Sequence, residues 1–305
     1  MRVLVTGGAG FIGSNLAKRL TGDGYDVTVI DDFQSGHWTN LVEFKGDVIT
    51  ADLAQQGGQL ASLPPFEVIF HQASITDTTV HDQRRMMQNN VEAFRQLLDL
   101  AVNWKSRMIW ASSASIYGRR QPPNAESQPP DPLNVYACSK LVMERLADRY
   151  REKLKHPIVG LRYFNVYGPG EDHKGKFASM IHQLARQMRT GKRPRVFTAG
   201  EQKRDFVYVD DVVQANLKAL QAKTGGVFNV GCGGAFTFNQ VVAELNGVLG
   251  TDLPPDYFPN PYSFTQDWTE ANVSESRRAI GYEPKYDLKR GIAAYHESGK
   301  LGASI

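Results

Sequence analysis

Short apolar runs alternate with helix-period segments through the first 165 residues of this chain. Residues 3–6, 26–30, 67–70, 108–111 and 158–163 are β-rich, and several are continuously apolar. Such continuity suits parallel strands covered by helices on both faces. Between them, apolar residues at helical spacing predict helices over 12–20, 82–104 and 135–154. Strands alternating with helices in this way predict an α/β fold, a Rossmann-like doubly wound parallel sheet.

The rhythm changes after Gly168-Pro169. Residues 177–190 read as a basic amphipathic helix and 206–209 as a strand, with Asp210 or Asp211 placed to cap a helix through Leu220. A strand over 226–230 and a helix over 239–249 follow. Residues 251–264 hold four of the fifteen prolines and read as an irregular surface segment.

The 305 residues suffice to bury a core without a structural metal or disulfide. Cys138 and Cys232 stand far apart, outside any CxxC or Cys/His cluster, which argues against zinc and fits a reducing compartment. Lys and Arg number 35 against 32 Asp and Glu. So small an excess does not suggest a nucleic-acid binder. No apolar run approaches the length of a membrane span, and no signal-peptide pattern precedes Val3-Leu4-Val5. A cytoplasmic protein without nucleic-acid or membrane partners is expected. The charge is nevertheless uneven. Residues 174–204 carry nine Lys/Arg and one acid, a net +8, leaving −5 for the rest. That favours a small anionic substrate on this side of the molecule.

The strongest local signal is Thr6-Gly7-Gly8-Ala9-Gly10-Phe11-Ile12-Gly13, where an apolar strand runs through glycines into a helix. Gly7, Gly10 and Gly13 allow a tight turn, close approach of a pyrophosphate and close helix–strand packing, and the helix N-terminus offers N–H groups to phosphate. Asp31, 18 residues beyond Gly13 at the end of the next strand, suits the adenosine ribose hydroxyls. Asp31-Asp32 would repel a 2′-phosphate, and no Arg or Lys follows before Lys45, so NAD is favoured over NADP. The segment Gly170-Glu171-Asp172-His173-Lys174-Gly175-Lys176 imitates a P-loop, but Phe177 stands where Ser or Thr must bind Mg²⁺. That reading is rejected.

Tyr136 and Lys140 lie four residues apart, on one face of a predicted helix. An ammonium beside a phenol favours the phenolate. Ser112, Ser113 and Ser115 cluster where a strand ends, the edge at which an open α/β sheet presents functional side chains.

Together, residues 6–13 (TGGAGFIG), 111–118 (ASSASIYG) and 134–140 (NVYACSK) resemble the extended short-chain dehydrogenase/reductase family, as do Asn89-Asn90, 162–169 and 204–212. The resemblance spans essentially the whole chain. It implies an NAD-binding Rossmann domain from 1–165 and 206–231, and a smaller nucleotide-sugar domain from 166–205 and 232–305. It implies Tyr136 as acid/base, Lys140 as its electrostatic partner and ribose ligand, and Ser113 as the partner of the substrate hydroxyl. Asp47 and Val48 would flank the adenine, Ala73 would line the cofactor cleft, and Asn90 would support it.

Within the family, Asn165 through Pro169, His173-Lys174-Gly175 and Phe264-Thr265-Gln266 are most similar to the ADP-glycero-manno-heptose 6-epimerases. That subgroup usually carries a lysine where Gln34-Ser35-Gly36-His37 stand here. The likeness makes Lys174 a second acid/base, with a phosphate contact as the other reading, and Asn165, Arg204 and Tyr262 substrate ligands. A UDP-hexose 4-epimerase and a non-catalytic NAD-binding sensor are the alternatives. It also implies a homo-oligomer, formed through helices near 90–101 and 135–150.

Overall fold

The computed structural model describes residues 1–78, 80, 82–260 and 266–303, the side chains of 56–59 apart. The strands are β1 (Arg2–Thr6), β2 (Asp26–Asp31), β3 (Asp47–Thr50), β4 (Val68–His71), β5 (Arg107–Ser113), β6 (Ile158–Tyr163), β7 (Asn165–Tyr167), β8 (Arg195–Phe197), β9 (Lys203–Arg204), β10 (Phe206–Tyr208), β11 (Gly226–Val230), β12 (Phe236–Thr237) and β13 (Asp256–Phe258). The helices are α1 (Phe11–Gly22), α2 (Leu53–Gln56), α3 (Gln83–Met87), α4 (Ala93–Trp104), α5 (Val135–Tyr150), α6 (Met180–Arg189), α7 (Val209–Ala219), α8 (Phe238–Leu249), α9 (Ser274–Ile280) and α10 (Leu288–Glu297).

Among these residues, seven parallel strands form one sheet in the order β11-β6-β5-β4-β1-β2-β3. This is the Rossmann-like arrangement the alternating pattern predicts. The order in which successive strands are laid down reverses between β1 and β4, so a crevice opens above their carboxyl ends. Apolar residues of α1 and α7 cover one face of the sheet, and those of α4 and α5 the other. A third apolar cluster joins α6, α8 and α10 around Tyr167, Phe206 and Tyr208. Strand β10 bridges the two regions, since Val207 packs in the sheet core and its two neighbours in the third cluster.

Several elements differ from the sequence pattern. The helix expected over 82–104 is broken by a π-helical turn, Gln88–Glu92, between α3 and α4. That turn carries the fully buried Asn90, whose amide holds the Ile75 backbone and the Ser139 hydroxyl instead of facing outward. Neither Asp210 nor Asp211 caps α7, because Tyr208 precedes its first residue. Asp211 instead accepts the backbone N–H groups of Lys285 and Tyr286. The proline-rich segment contains β13, which pairs in parallel with β8. Strand β3 was unmarked because its four residues are largely exposed.

The ion pair Glu144–Arg162 has both partners buried, about 9% and 8% exposed. The Glu144 carboxylate on α5 accepts from Arg162 Nε at 2.8 Å and Nη2 at 2.7 Å, and from the Ser112 hydroxyl at 2.7 Å. Arg162 Nη1 donates to the Tyr117 oxygen, and the Tyr117 hydroxyl donates to Asn229 on β11. Each charge thus has fixed hydrogen-bond partners, as burial demands. Removing one partner strands the other. Glu144→Ala should lower unfolding stability by about 3–5 kcal/mol in urea titration, and Glu144→Met with Arg162→Met should recover much of it. A Glu144→Ala loss below about 1 kcal/mol, the range of exposed pairs, would contradict this reading.

Candidate active site

The crevice is a cleft of about 940 Å³, and its lining runs from the glycine-rich turn to Tyr136 and Lys174. Gly7 takes φ +67°, and a Cβ there would sit 2.6 Å from the Ala73 nitrogen. A Cβ on Gly13 would sit 2.1 Å from the Gly7 oxygen. Neither position tolerates a side chain, so the backbone itself forms the floor. Helix α1 begins at Phe11 with no side-chain cap on Gly10, and Phe11, Ile12 and Gly13 line the cleft. An uncapped helix N-terminus beneath a bare backbone floor fits a dinucleotide pyrophosphate.

At the end of β2, Asp31 is buried. Its carboxylate accepts Ala9 N and Phe33 N, each at 2.9 Å. Burial raises its pKa, with these hydrogen bonds opposing. Asp32 accepts Gln34 N at 3.0 Å, and both aspartates line the cleft. Ala73 follows β4 and lines it too, beside the Ile75 backbone held by Asn90. Asp47 and Val48 do not reach the cleft. Strand β3 runs parallel to β2 with Asp31 opposite Thr50, which puts Asp47 at the far end. Ala51, Asp52 and Leu53, beyond the carboxyl end of β3, line the cleft in their stead.

Ser113 ends β5, while Tyr136 and Lys140 stand one turn apart on α5, which Asn134 caps by accepting Ala137 N at 2.8 Å. The Tyr136 hydroxyl is hydrogen-bonded to Ser113. Lys140 is 1% exposed, its Nζ donating to the Ala111 carbonyl at 2.8 Å and lying 5.8 Å from the Tyr136 ring centre. Burial depresses Lys140 to about 7, with Glu144 opposing. Burial likewise pushes the Tyr136 phenol above its ordinary value, with the Ser113 bond opposing. The expected depression of the phenol by Lys140 is therefore absent here, because desolvation sets the direction of the shift and only the Ser113 bond opposes it.

Lys174 lies in the 3-10 turn Asp172–Phe177, lines the same cleft and sits 5.7 Å from the Phe11 ring centre. Burial lowers its pKa, with Glu171 opposing. This loop is stitched to the glycine-rich turn. Asn15 Nδ2 donates to the Pro169 carbonyl at 2.8 Å. Asn40 Nδ2 donates to the Ala9 carbonyl at 3.0 Å and lies within hydrogen-bond distance of the Gly170 carbonyl and of His173 Nδ1. The buried Glu171 closes the loop from within, accepting from the Gly168 N–H and the Ser179 hydroxyl.

Two expected substrate ligands are not in the cleft lining. Asn165 donates to the Asp205 carbonyl and the Thr269 hydroxyl. Arg204, on β9, donates to the Lys203 carbonyl and lies 5.9 Å from the Phe238 ring centre. Burial lowers Arg204 to about 10, with Asp267 opposing. The neighbouring Asp205 accepts backbone N–H groups of Cys232, Gly233 and Ala271. Tyr262 lies outside the described residues. The basic stretch is no single anion grip either, since Arg186, Arg189, Lys192, Arg193 and Arg195 are exposed. Asn40 and Arg85 belong to this region but carried no sequence signal, because each acts through contacts with residues distant in the chain.

The model of the NAD dependent epimerase/dehydratase family matches residues 3–231. The chain belongs to this family. It is an NAD-dependent enzyme whose fold and cleft agree with that membership. The chain is 38% identical, over 96% of each sequence, to the ADP-L-glycero-D-manno-heptose-6-epimerase of Alkalilimnicola ehrlichii. It resembles the crystal structure of the Helicobacter pylori ADP-L-glycero-D-manno-heptose-6-epimerase with a TM-score of 0.92 at 42% identity, covering 97% of this chain and 95% of that one. The UDP-glucose 4-epimerase of Thermotoga maritima, solved with UDP-glucose, gives a TM-score of 0.90 at 31% identity, covering 97% and 98%. No described helix is long and apolar enough to cross a membrane.

In this family member the Lys140 ammonium should lose its proton near neutrality. The side-chain NMR signal assigned through Lys140→Arg should titrate near about 7, protonated below and neutral above. A midpoint near ~10, the value of an exposed lysine, would contradict the desolvated setting described.

Proposed function

We propose that this enzyme is an ADP-glycero-manno-heptose 6-epimerase, which inverts one carbinol carbon of its nucleotide-sugar by transient oxidation and re-reduction. The observation that carries the reading is the convergence of two proton-handling groups, Tyr136 and Lys174, on one cleft. The identity to heptose epimerases over nearly the whole chain supports the same sugar.

Bound NAD supplies a reversible hydride acceptor, so the carbon is oxidised and reduced with no net redox change. The glycine-rich floor, Asp31 and the segment beyond β4 hold the dinucleotide. Ser113 orients the substrate hydroxyl against the Tyr136 oxygen. One of Tyr136 and Lys174 takes the hydroxyl proton as the ketone forms. After the ketone turns over, the other returns a proton to the oxygen on the opposite side. Lys140, lowered to about 7, exchanges its charge near neutral pH one helical turn from Tyr136.

By the family likeness, Arg204 holds the diphosphate as a charge-assisted donor outside the cleft lining described above, with Asn165 and Tyr262 completing the substrate side. Residues 1–165 and 206–231 form the cofactor domain, and 166–205 and 232–305 the substrate domain. The enzyme is cytoplasmic and assembles as a homo-oligomer through α4 and α5, contacts supported by the family likeness.

Either ADP-heptose epimer should give the same mixture without net NADH. Tyr136→Phe and Lys174→Ala should each slow turnover by about 10²–10⁴. Near-normal turnover of UDP-glucose by Lys174→Ala would favour the UDP-hexose 4-epimerase. No conversion of any ADP-, UDP- or GDP-sugar would overturn the epimerase reading and leave a non-catalytic NAD sensor.

A further inference from the structure

Three buried polar side chains behind the Lys174 loop take no part in the chemistry above. Glu171 and Tyr295 of α10 are fully buried, and His182 of α6 is 3% exposed. Glu171 precedes the turn that carries Lys174, and its carbonyl accepts the Lys174 backbone N–H at 2.9 Å. One oxygen of its carboxylate accepts the Gly168 N–H at 3.1 Å and the Ser179 hydroxyl at 2.9 Å. The other accepts the Ser179 N–H. Both N–H groups can only donate, so these contacts favour an ionised carboxylate.

Tyr295 extends this arrangement into the third apolar cluster. Its hydroxyl is hydrogen-bonded to the Glu171 carboxylate and lies 2.8 Å from His182 Nδ1. A phenol has one proton, so donation to Glu171 leaves its oxygen to accept from His182. Ser179 caps α6 by accepting the His182 backbone N–H, so the same turn holds both ends of the chain. Glu171 and Lys174 act on one another: the carboxylate opposes the loss of the Lys174 proton, and the ammonium opposes protonation of Glu171. Other charges nearby are Asp172, which acts on Tyr295 and His182, Arg186, which acts on His182, and His173, which faces Lys174 with His37 stacked on it. From α1, Lys174 meets only the Phe11 ring.

Inversion by two proton-handling groups leaves them changed. When Tyr136 takes the hydroxyl proton and Lys174 returns one, phenolate and ammonium become phenol and amine. Lys174 must regain a proton from solvent before it acts again in the same direction. Burial disfavours that ammonium, and a buried carboxylate close by favours it. We propose that Glu171 is the counter-charge that keeps Lys174 able to return its proton, with Tyr295 and His182 holding that carboxylate ionised and in place. All three are positioning residues, since none of them lines the cleft. This rests on the acid/base role given to Lys174 above.

NMR titration of the Lys174 side chain, assigned through Lys174→Arg, reads this without substrate. Glu171→Gln removes the charge, so the Lys174 midpoint should fall by about one pH unit or more. The alkaline limb of the pH profile for ADP-heptose turnover should move down with it. Tyr295→Phe takes one donor from the carboxylate and should move the midpoint the same way by less. Glu171→Asp keeps the charge while disturbing the packing, and should hold the midpoint nearer to wild type. An unmoved midpoint in folded Glu171→Gln would overturn the proposal. Equal falls in Glu171→Gln and Glu171→Asp would overturn it too, since packing and not charge would be the cause. If Glu171→Gln does not fold, Tyr295→Phe decides, and an unmoved midpoint there sinks the proposal. The expected midpoints in a protein that converts no nucleotide-sugar would support the counter-charge and overturn the epimerase reading instead.

Discussion

The buried Glu144–Arg162 pair fixes the geometry on which the site depends. Glu144 lies one helical turn beyond Lys140 on α5, as Lys140 lies one turn beyond Tyr136. Side chains four apart share a helix face, so anchoring Glu144 to Arg162 of β6 and Ser112 of β5 sets the rotation of α5. Ser112 precedes Ser113, so the bond that locks the helix also locks the strand end that carries the hydroxyl. The same carboxylate acts electrostatically on Lys140, opposing the loss of its proton. A structural ion pair and an acid/base site thus share one helix.

A second constraint joins the two ends of the cleft. Asn15 and Asn40 tie the loop bearing Lys174 to the glycine-rich turn and the helix it opens. The glycine-rich floor and the loop bearing Lys174 are therefore tied together. Glu171 reinforces this by filling the loop with a buried carboxylate whose partners are the loop's own backbone and Ser179. At one end of the cleft Lys140 and Lys174 are held below their ordinary pKa by burial, whereas the other end is open around exposed Gln34 and Arg85.

The features readable along the chain were those set by local periodicity. Continuous apolar runs marked β1, β2, β4, β5 and β6 because strands covered on both faces need them. Glycine spacing marked the floor because backbone packs against backbone there, and the four-residue spacing of Tyr136 and Lys140 marked their shared face. What stayed hidden depends on distant parts of the chain. The cleft end of β3 is at Asp52-Leu53 and not at Asp47-Val48, since a four-residue, largely exposed strand announces neither its bounds nor its register. The π-helical turn at Asn90 arises from tertiary hydrogen bonds that no helical pattern encodes. Asp205 likewise turns inward to three backbone N–H groups from distant parts of the chain, which no local pattern announces.

The decisive issue is whether the epimerised carbon exchanges its hydrogen with the bound cofactor alone. NMR of the ADP-heptose product formed in heavy water tests this most directly. Return of the same hydride within the closed cleft predicts product with no deuterium at the inverted carbon. Deuterium entering that carbon at the rate of epimerisation would mean proton abstraction from carbon, and would contradict oxidation and re-reduction on this scaffold.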